Sequence, residues 1–435
     1  MPFMTANSFF GLVPETTRGS AASVNTASVG YYPIMSPQLT PEVTWLHNES
    51  FYGSPAKTYD AVPGVRSDKF SGKVYLLQDV FPNLVRAALG GNDSAASGSV
   101  SGQSASAGAL AGGITAASVV SLTSGSVVQY TYTANPTFVY ANGATASVTN
   151  ISGAASVFNL NGVIQNAASS TFQIPLASAL GVASATGLTG SVQVQVGSKP
   201  AYQHVIGLAN SASAGSQPPS YTLYNDSVDA LYSVAGSQLV DMSISFASNA
   251  AVECTFNFVG NAASIGTAAS AQSATSASAF SSSYLIPAWS TSASIAGTAV
   301  TLINAATLDI KRNSAPIFTI GQQSPYKNFA GPIEVSGKLT VVVESSTATY
   351  FTNALARSQQ SLTFQFTDPT ATNGTGSTVT FQMTNAQFEM PLIKQDKEYV
   401  EMDLNFEAIA NSTDQTAGGY SPVKAIIVNN FGFTY

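Results

Sequence analysis

Charge is what this sequence most lacks. Only 9% of its 435 residues are Asp, Glu, Lys or Arg, against roughly 25% in an ordinary globular chain. Ser, Thr, Asn and Gln supply the missing polarity, and they suit strand surfaces and turns better than long exposed helices. The 22 acidic residues outnumber the 15 basic ones, for a net charge of −7. That balance excludes holding nucleic acid by its phosphates, which takes clustered Lys and Arg. A single cysteine, Cys254, excludes an intramolecular disulfide; its apolar-alternating surroundings predict a buried, inert thiol. No apolar run approaches the 18 residues of a membrane helix. The opening Met1-Pro2-Phe3-Met4 lacks the basic n-region of a secretory signal, so synthesis in the cytoplasm is the expectation. What is abundant is apolar: 45% of the chain, enough for real cores and too much for disorder. At this length two or three domains are expected.

Internal similarity is the most informative feature. Val240-Asp-Met-Ser-Ile-Ser-Phe246 and Val400-Glu-Met-Asp-Leu-Asn-Phe406 share the pattern V-[DE]-M-x-[IL]-x-F. Both alternate apolar and polar residues, as a strand with one buried face does. Upstream, Ser71-Gly-Lys-Val-Tyr-Leu76 resembles Ser336-Gly-Lys-Leu-Thr-Val341. A short helix is predicted after each, over Phe81–Leu89 with Gly90 as its stop, and over Tyr350–Arg357. Ser336 precedes Val400 by 64 positions and Ser71 precedes Val240 by 169, a surplus of 105. Residues 94 to 198, also 105 in number, contain no charge at all. The spacing therefore predicts a duplicated β-unit whose first copy carries an insertion after its helix.

The insertion begins at a Gly90-Gly91-Asn92 turn and opens with an Ala/Ser/Gly-rich linker, 94 to 113. Strands are predicted at Val127–Tyr132, Thr137–Tyr140 and Ser191–Val196, and Asn161-Gly162 predicts a hairpin turn between Val157–Leu160 and Val163–Gln165. The predicted divisions are an N-terminal arm (1–40), a first unit in two pieces (41–93 and 199–260), an inserted β-sandwich (94–198), an Ala/Ser-rich stretch (261–284) and a second unit (285–435). The Ala/Ser-rich stretch reads equally as a linker or as an ordered loop of unusual composition.

Catalytic and metal constellations are not found. His47 and His204 are far apart, with no Cys or His partner at ligand spacing. The serines lack a G-x-S-x-G elbow. Gly331-Pro-Ile-Glu-Val-Ser-Gly337-Lys338 has five residues between its glycines, where a phosphate loop has four, and Leu339 stands where Ser or Thr would bind magnesium. Glu401 and Asp403 share one strand face, which reads more simply as a polar surface than as an acid–base pair. The expectation is no enzyme, no metal and no cofactor.

Several segments, in their order along the chain, resemble the major tail-tube proteins of siphoviruses, especially those of actinobacterial phages. They are Gly11-Leu-Val-Pro-Glu-Thr-Thr-Arg-Gly19, Val43-Thr-Trp-Leu46, Gly53-Ser-Pro-Ala-Lys57, Val62-Pro-Gly-Val-Arg66, Phe81-Pro-Asn-Leu84, Gly215-Ser-Gln-Pro-Pro-Ser-Tyr221, Gly331–Leu339, Tyr399-Val-Glu401 and Phe406-Glu-Ala-Ile-Ala-Asn411. The resemblance covers roughly 8–92 and 199–428; the uncharged insertion departs from the family's shorter members.

The resemblance implies a mainly β chain with two tandem tube folds, each a β-sandwich or partial barrel with a short helix, plus the inserted small sandwich. It implies stacked rings around a DNA channel, with other tail proteins (tape measure, terminator, distal tail) as partners, location in the phage tail of the virion, and no membrane. Two units per chain favour a trimeric ring with pseudo-sixfold symmetry over a hexamer. The expected channel-facing residues are Glu334, Lys338, Glu344, Glu401, Asp403 and Asp241, the last on the first-copy counterpart of the strand holding Glu401. Expected ring-stacking or subunit contacts are Glu15, Arg18, Tyr52, Lys57 and Arg66, on irregular chain. Two rivals stay open: a fibre or decoration protein whose insertion binds host glycans, and a polysaccharide-acting enzyme needing a cleft and catalytic carboxylates.

Overall fold

The computed structural model describes residues 9–22, 30–50, 52–78, 81–91, 114–122, 125–132, 145–168, 170–176, 182–196, 199–200, 202–210, 217–226, 230–267, 285–343, 355, 358–369, 377–395, 398–416 and 418–429. Eight strands make one antiparallel wall: β1 (Gln38–Asn48), β2 (Asp60–Tyr75), β3 (Ala230–Ala247), β4 (Glu253–Gly260), β5 (Ile303–Lys311), β6 (Glu334–Val342), β7 (Thr378–Phe388) and β8 (Glu401–Ala408). Their spatial order is β1-β2-β4-β3-β5-β6-β8-β7. The order 1-2-4-3 thus occurs twice, once per unit, and the β3–β5 ladder joins the units edge to edge.

Alternation builds this wall. Met242, Ile244 and Phe246 of β3, Leu308 and Ile310 of β5, and Met402, Leu404 and Phe406 of β8 are all buried on one face, as a two-residue period demands. Over that face lies a second layer. In the second unit it runs Tyr202–Ile206, Lys424–Asn429, β7, Gln360–Thr367 and Thr291–Ile295. In the first it runs Phe9–Pro14, Tyr221–Asp226 and the N-terminal half of β3. One continuous apolar core fills the space between layers, cemented by aromatic contacts such as Phe246 with Phe366 (5.2 Å) and Phe364 with Phe406 (5.9 Å).

The repeated Ser-Gly-Lys segments have a packing reason. Gly72 in β2 and Gly337 in β6 face the core, where a Cβ would stand 2.8 Å from the Phe256 ring and 2.6 Å from the Phe406 ring respectively. In each unit the glycine makes room for a phenylalanine on the adjacent strand. This corrects the sequence register of the repeat. β8 matches β3 in pattern, yet its place beside the Ser-Gly-Lys strand is held in the first unit by β4, so β4 and not Asp241's strand is its counterpart. All three strands alternate and include phenylalanine, and a period of two cannot tell one such strand from another.

Helix α1 (Phe81–Leu89) buries almost every residue against the core and stops at Gly90, whose φ is +75°. The predicted second helix lies outside the described residues except for Leu355, which is helical. Phe9–Pro14, read from sequence as irregular, is a strand paired with Tyr221–Asp226, because Phe10 and Leu12 alternate into the core. Asp60–Arg66, also read as loop, is the first part of β2.

The strands of residues 114–200 form a separate seven-stranded sheet with its own core of Tyr130, Phe158, Phe172 and Ile174. The Asn161-Gly162 hairpin does not form there. Residues Gly153–Phe158 make a 3-10 helix, the Asn159 side chain bonds both N–H and C=O of Ile151, and Asn161–Val163 is itself a strand. Gly162 is needed for space: a Cβ would lie 2.5 Å from Ile174. Thr137–Tyr140 lies outside the described residues.

Candidate functional site

The wall's other face is polar, and five of the six residues expected to face a channel share it. Glu334, Ser336, Lys338 and Thr340 alternate along β6, Asp403 and Asn405 along β8, and Asp241 and Ser243 along β3. Glu344 lies outside the described residues. Among the described residues the charges on this face are Glu42, Asp241, Glu253, Asp309, Glu334, Glu389, Glu401, Asp403 and Glu407 against Lys69, Lys73, Lys311, Lys338 and Lys394. Nine carboxylates over five lysines leave the face acidic.

Cross-strand pairing restrains these charges. Lys73 meets Glu253 at 2.5 Å, Lys69 meets Glu42 at 2.7 Å, and Lys338 and Lys394 meet Asp403 at 2.8 and 2.6 Å. Lys73 and Lys338 are the lysines of the two Ser-Gly-Lys repeats, so each unit ties this residue to the neighbouring strand's carboxylate. Asp403 also accepts from Thr340 Oγ1 at 2.8 Å. Burial alone would raise its carboxyl, but Lys338, Lys394 and Thr340 together outweigh that and hold it below the ordinary range. Glu401 is equally buried and accepts from Asn304 Nδ2 at 2.7 Å. Asp241 accepts from Asn257 at 2.7 Å, and Ser243 donates to Asp309. Glu334 stays exposed, with Asn313 at 3.2 Å.

β7 continues into the second layer through Gln360–Thr367, but each side of the wall has one open strand among the described residues. β1 pairs with β2 alone. At the far side the short strand Leu392–Lys394 pairs with β8 alone and exposes Leu392 and Ile393.

The residues expected at ring contacts divide into two groups. Glu15 accepts from Gly19 N–H, Ser220 Oγ, Thr222 Oγ1 and Gly236 N–H at 2.6–2.9 Å. Arg18 donates to the Pro218 and Asn328 carbonyls, and burial lowers its pKa more than nearby Glu15 raises it. Both bond within the chain. Tyr52 and Lys57 sit on the exposed β1–β2 turn, where Tyr52 packs on Tyr59 at 4.4 Å. Arg66 grips Asp68 through two bonds, 2.9 and 2.7 Å, which raise its pKa.

The sequence reading missed a hairpin of Ala315–Ile317 and Lys327–Phe329, which exposes Ile317, Phe318, Ile320, Tyr326 and Phe329. The apolar run between Pro316 and Pro325 was its only sequence signal. It leans on the β1–β2 arm, where Arg66 N–H donates to the Gln323 carbonyl. Cys254 is fully buried in β4, its thiol pushed up by burial. His204 is buried with Nε2 3.2 Å from Asn429 Oδ1, and His47 lies on the exposed arm. No group of His, Cys, Asp or Glu among the described residues is placed to hold a metal ion.

No curated protein matches the chain. A family model described as phage tail tube protein matches residues 5–408, and the chain belongs to the phage tail tube family, a structural component of the virion tail.

Proposed function

We propose that the chain is the repeating tube subunit of a long non-contractile, siphovirus-type tail, made in the host cytoplasm, whose stacked rings let double-stranded DNA pass during ejection. The role is structural and non-enzymatic, and no cofactor is involved. The observation that carries the reading is the wall with one open strand at each side, β1 and Leu392–Lys394, and one acidic face. An exposed edge is a template for pairing with another chain. Joining β1 of one copy to the Leu392–Lys394 edge of the next closes the wall into a barrel. Three chains give 24 strands, roughly 37 Å across the backbone at a 4.8 Å spacing before tilt widens it. Six chains would give roughly 73 Å on the same spacing, far wider than a duplex needs. The trimer with pseudo-sixfold symmetry is therefore preferred.

In this arrangement the face bearing Glu334, Lys338, Glu401, Asp403 and Asp241 lines the channel, and Glu344, outside the described residues, is expected to join them. Its excess carboxylates repel phosphates, so DNA slides without the counterion-releasing contacts that bind it. Tyr52, Lys57 and Arg66, on the arm, contact the adjacent ring; Glu15 and Arg18 hold the N-terminal strand that braces the arm's unit. The insertion points outward. Ile427 enters the main core while Val428, the next residue of the same strand, packs on the insertion's core, on the opposite face of the outer layer. Tape-measure, terminator and distal tail proteins are the expected partners at the channel and the tube ends.

Negative-stain imaging of the purified chain tests the reading. Hollow tubes are expected; solid fibres, or monomers at every concentration, would contradict it.

A further inference from the structure

β5 runs from Ile303 to Lys311, about 26 Å at 3.3 Å per residue, and its two ends carry different surface features. Beyond Lys311 comes the Ala315–Phe329 hairpin, with Ile320 fully exposed at its tip. Beside Ile303 lies a pocket of about 200 Å³ lined by Phe246, Ala288, Trp289, Val300, Ile303 and Asn304. Trp289 is 73% exposed at its rim. The turn bearing it is rigidly held: Ala288 N–H donates to the Ala250 carbonyl at 2.9 Å, and Ser290 Oγ donates to the Thr367 carbonyl at 2.7 Å.

A tube built from one chain needs two different, complementary surfaces at opposite ends of the subunit, because head-to-tail contacts that do not close propagate as a filament. We propose that the pocket beneath Trp289 receives the Ala315–Phe329 hairpin of a second copy in the neighbouring ring, with Ile320 as its anchor. The proposal rests on the stacked-ring reading above and deepens it by naming both halves of the axial joint.

Three observations select this occupant. The hairpin and the pocket lie at opposite ends of the same strand, so translation along the strand direction brings one copy's hairpin to the next copy's pocket. Neither surface presents a carboxylate to the other: the lining is uncharged, and the hairpin's single charge, Lys327, lies over the Tyr326 ring at 5.1 Å. The size also fits: a cavity of about 150 Å³ has room for a benzene ring, so this open pocket, with Phe246, Val300 and Ile303 beside Thr301 and Asn304 in its lining, has room for one aliphatic side chain. Exposing five large apolar side chains on one hairpin is unusual for a chain that stays alone, and a rigid exposed tryptophan is the residue type that dominates interface energetics.

The test is assembly of the full chain carrying Ile320→Asp or Trp289→Ala, both at exposed positions, with folding checked by circular dichroism. Each substitution is expected to raise the critical concentration for tubes at least about tenfold, the loss typical of a buried anchor, while single rings persist. A second arm places cysteines by Ile320→Cys and Thr301→Cys in one chain. Oxidation of tubes should then give a ladder of covalently linked chains that neither single variant gives. Unchanged critical concentration, or intact tubes that yield no ladder, overturns the proposal. Failure of the wild-type chain to form rings or tubes at all would instead overturn the reading beneath it.

Discussion

Asp403 shows how one residue fixes both packing and surface. Its side chain is buried on the polar face between Lys338, Lys394 and Thr340, so an amide in its place removes the charge that both half-buried lysines meet and one of the two accepting oxygens. Asp403→Asn should cost about 1–3 kcal/mol in urea unfolding. The pH dependence follows from its depressed pKa. Its contribution is complete above the unfolded value of about 3.9 and is lost as pH falls through the lower folded value. Wild type should therefore lose its advantage over Asp403→Asn below about pH 4; an advantage that grows there would contradict the pairing. For the same reason, lysine at Glu401 or Asp403 tests folding more than DNA passage. Glu334 and Glu407 are exposed on the same face. Glu334→Lys with Glu407→Lys should leave stability within about 0.5 kcal/mol and slow ejection from phage carrying it, and normal ejection rates would remove this face from the channel.

At the scale of elements, the glycines of the two Ser-Gly-Lys strands make unequal demands. A Cβ at Gly337 would stand 2.2 Å from the Thr307 carbonyl oxygen as well as against Phe406, whereas at Gly72 the obstacles are the side chains of Ile34 and Phe256. Gly337→Ala should therefore destabilise more than Gly72→Ala, about 3 kcal/mol against about 1–2 kcal/mol, by denaturant titration; the reverse order would sink the packing account. The open edge gives a second expectation. Leu392→Lys with Ile393→Lys, both on exposed side chains, should leave a folded chain that stays monomeric by analytical ultracentrifugation, and ring formation at wild-type concentration would exclude this edge from closure.

Much of the element pattern was legible in the sequence. The alternation of β3 and β8, the Ser-Gly-Lys strands, helix α1 with its glycine stop and the polar set Glu334, Lys338 and Asp403 all follow from local periodicity. What was not legible depends on contacts distant in the chain. The partner of β8 in the first unit turned on which strand lies beside Gly72. The strand at Phe10 turned on a ladder to residues more than 200 positions away. The Trp289 pocket and the hairpin tip turned on exposure, which short-range pattern does not report.

At the scale of the whole molecule, the sheet formed by residues 114–200 is distinct from the wall. It has its own core, and its two connections meet where Gly91 N–H donates to the Gly207 carbonyl at 3.0 Å. Replacing residues 94–198 with a short Gly/Ser linker should preserve tubes of unchanged channel width and smaller outer diameter, as seen in stained particles. Tubes lost despite a folded chain would place the insertion in the assembly itself. The central claim concerns how many walls close the ring. Cryo-electron microscopy of self-assembled tubes measures it directly: the account predicts a hollow tube with three chains and 24 inner strands per ring, and six whole chains per ring, or inner strands formed by anything other than β1–β8 and the Leu392–Lys394 strand, would contradict it.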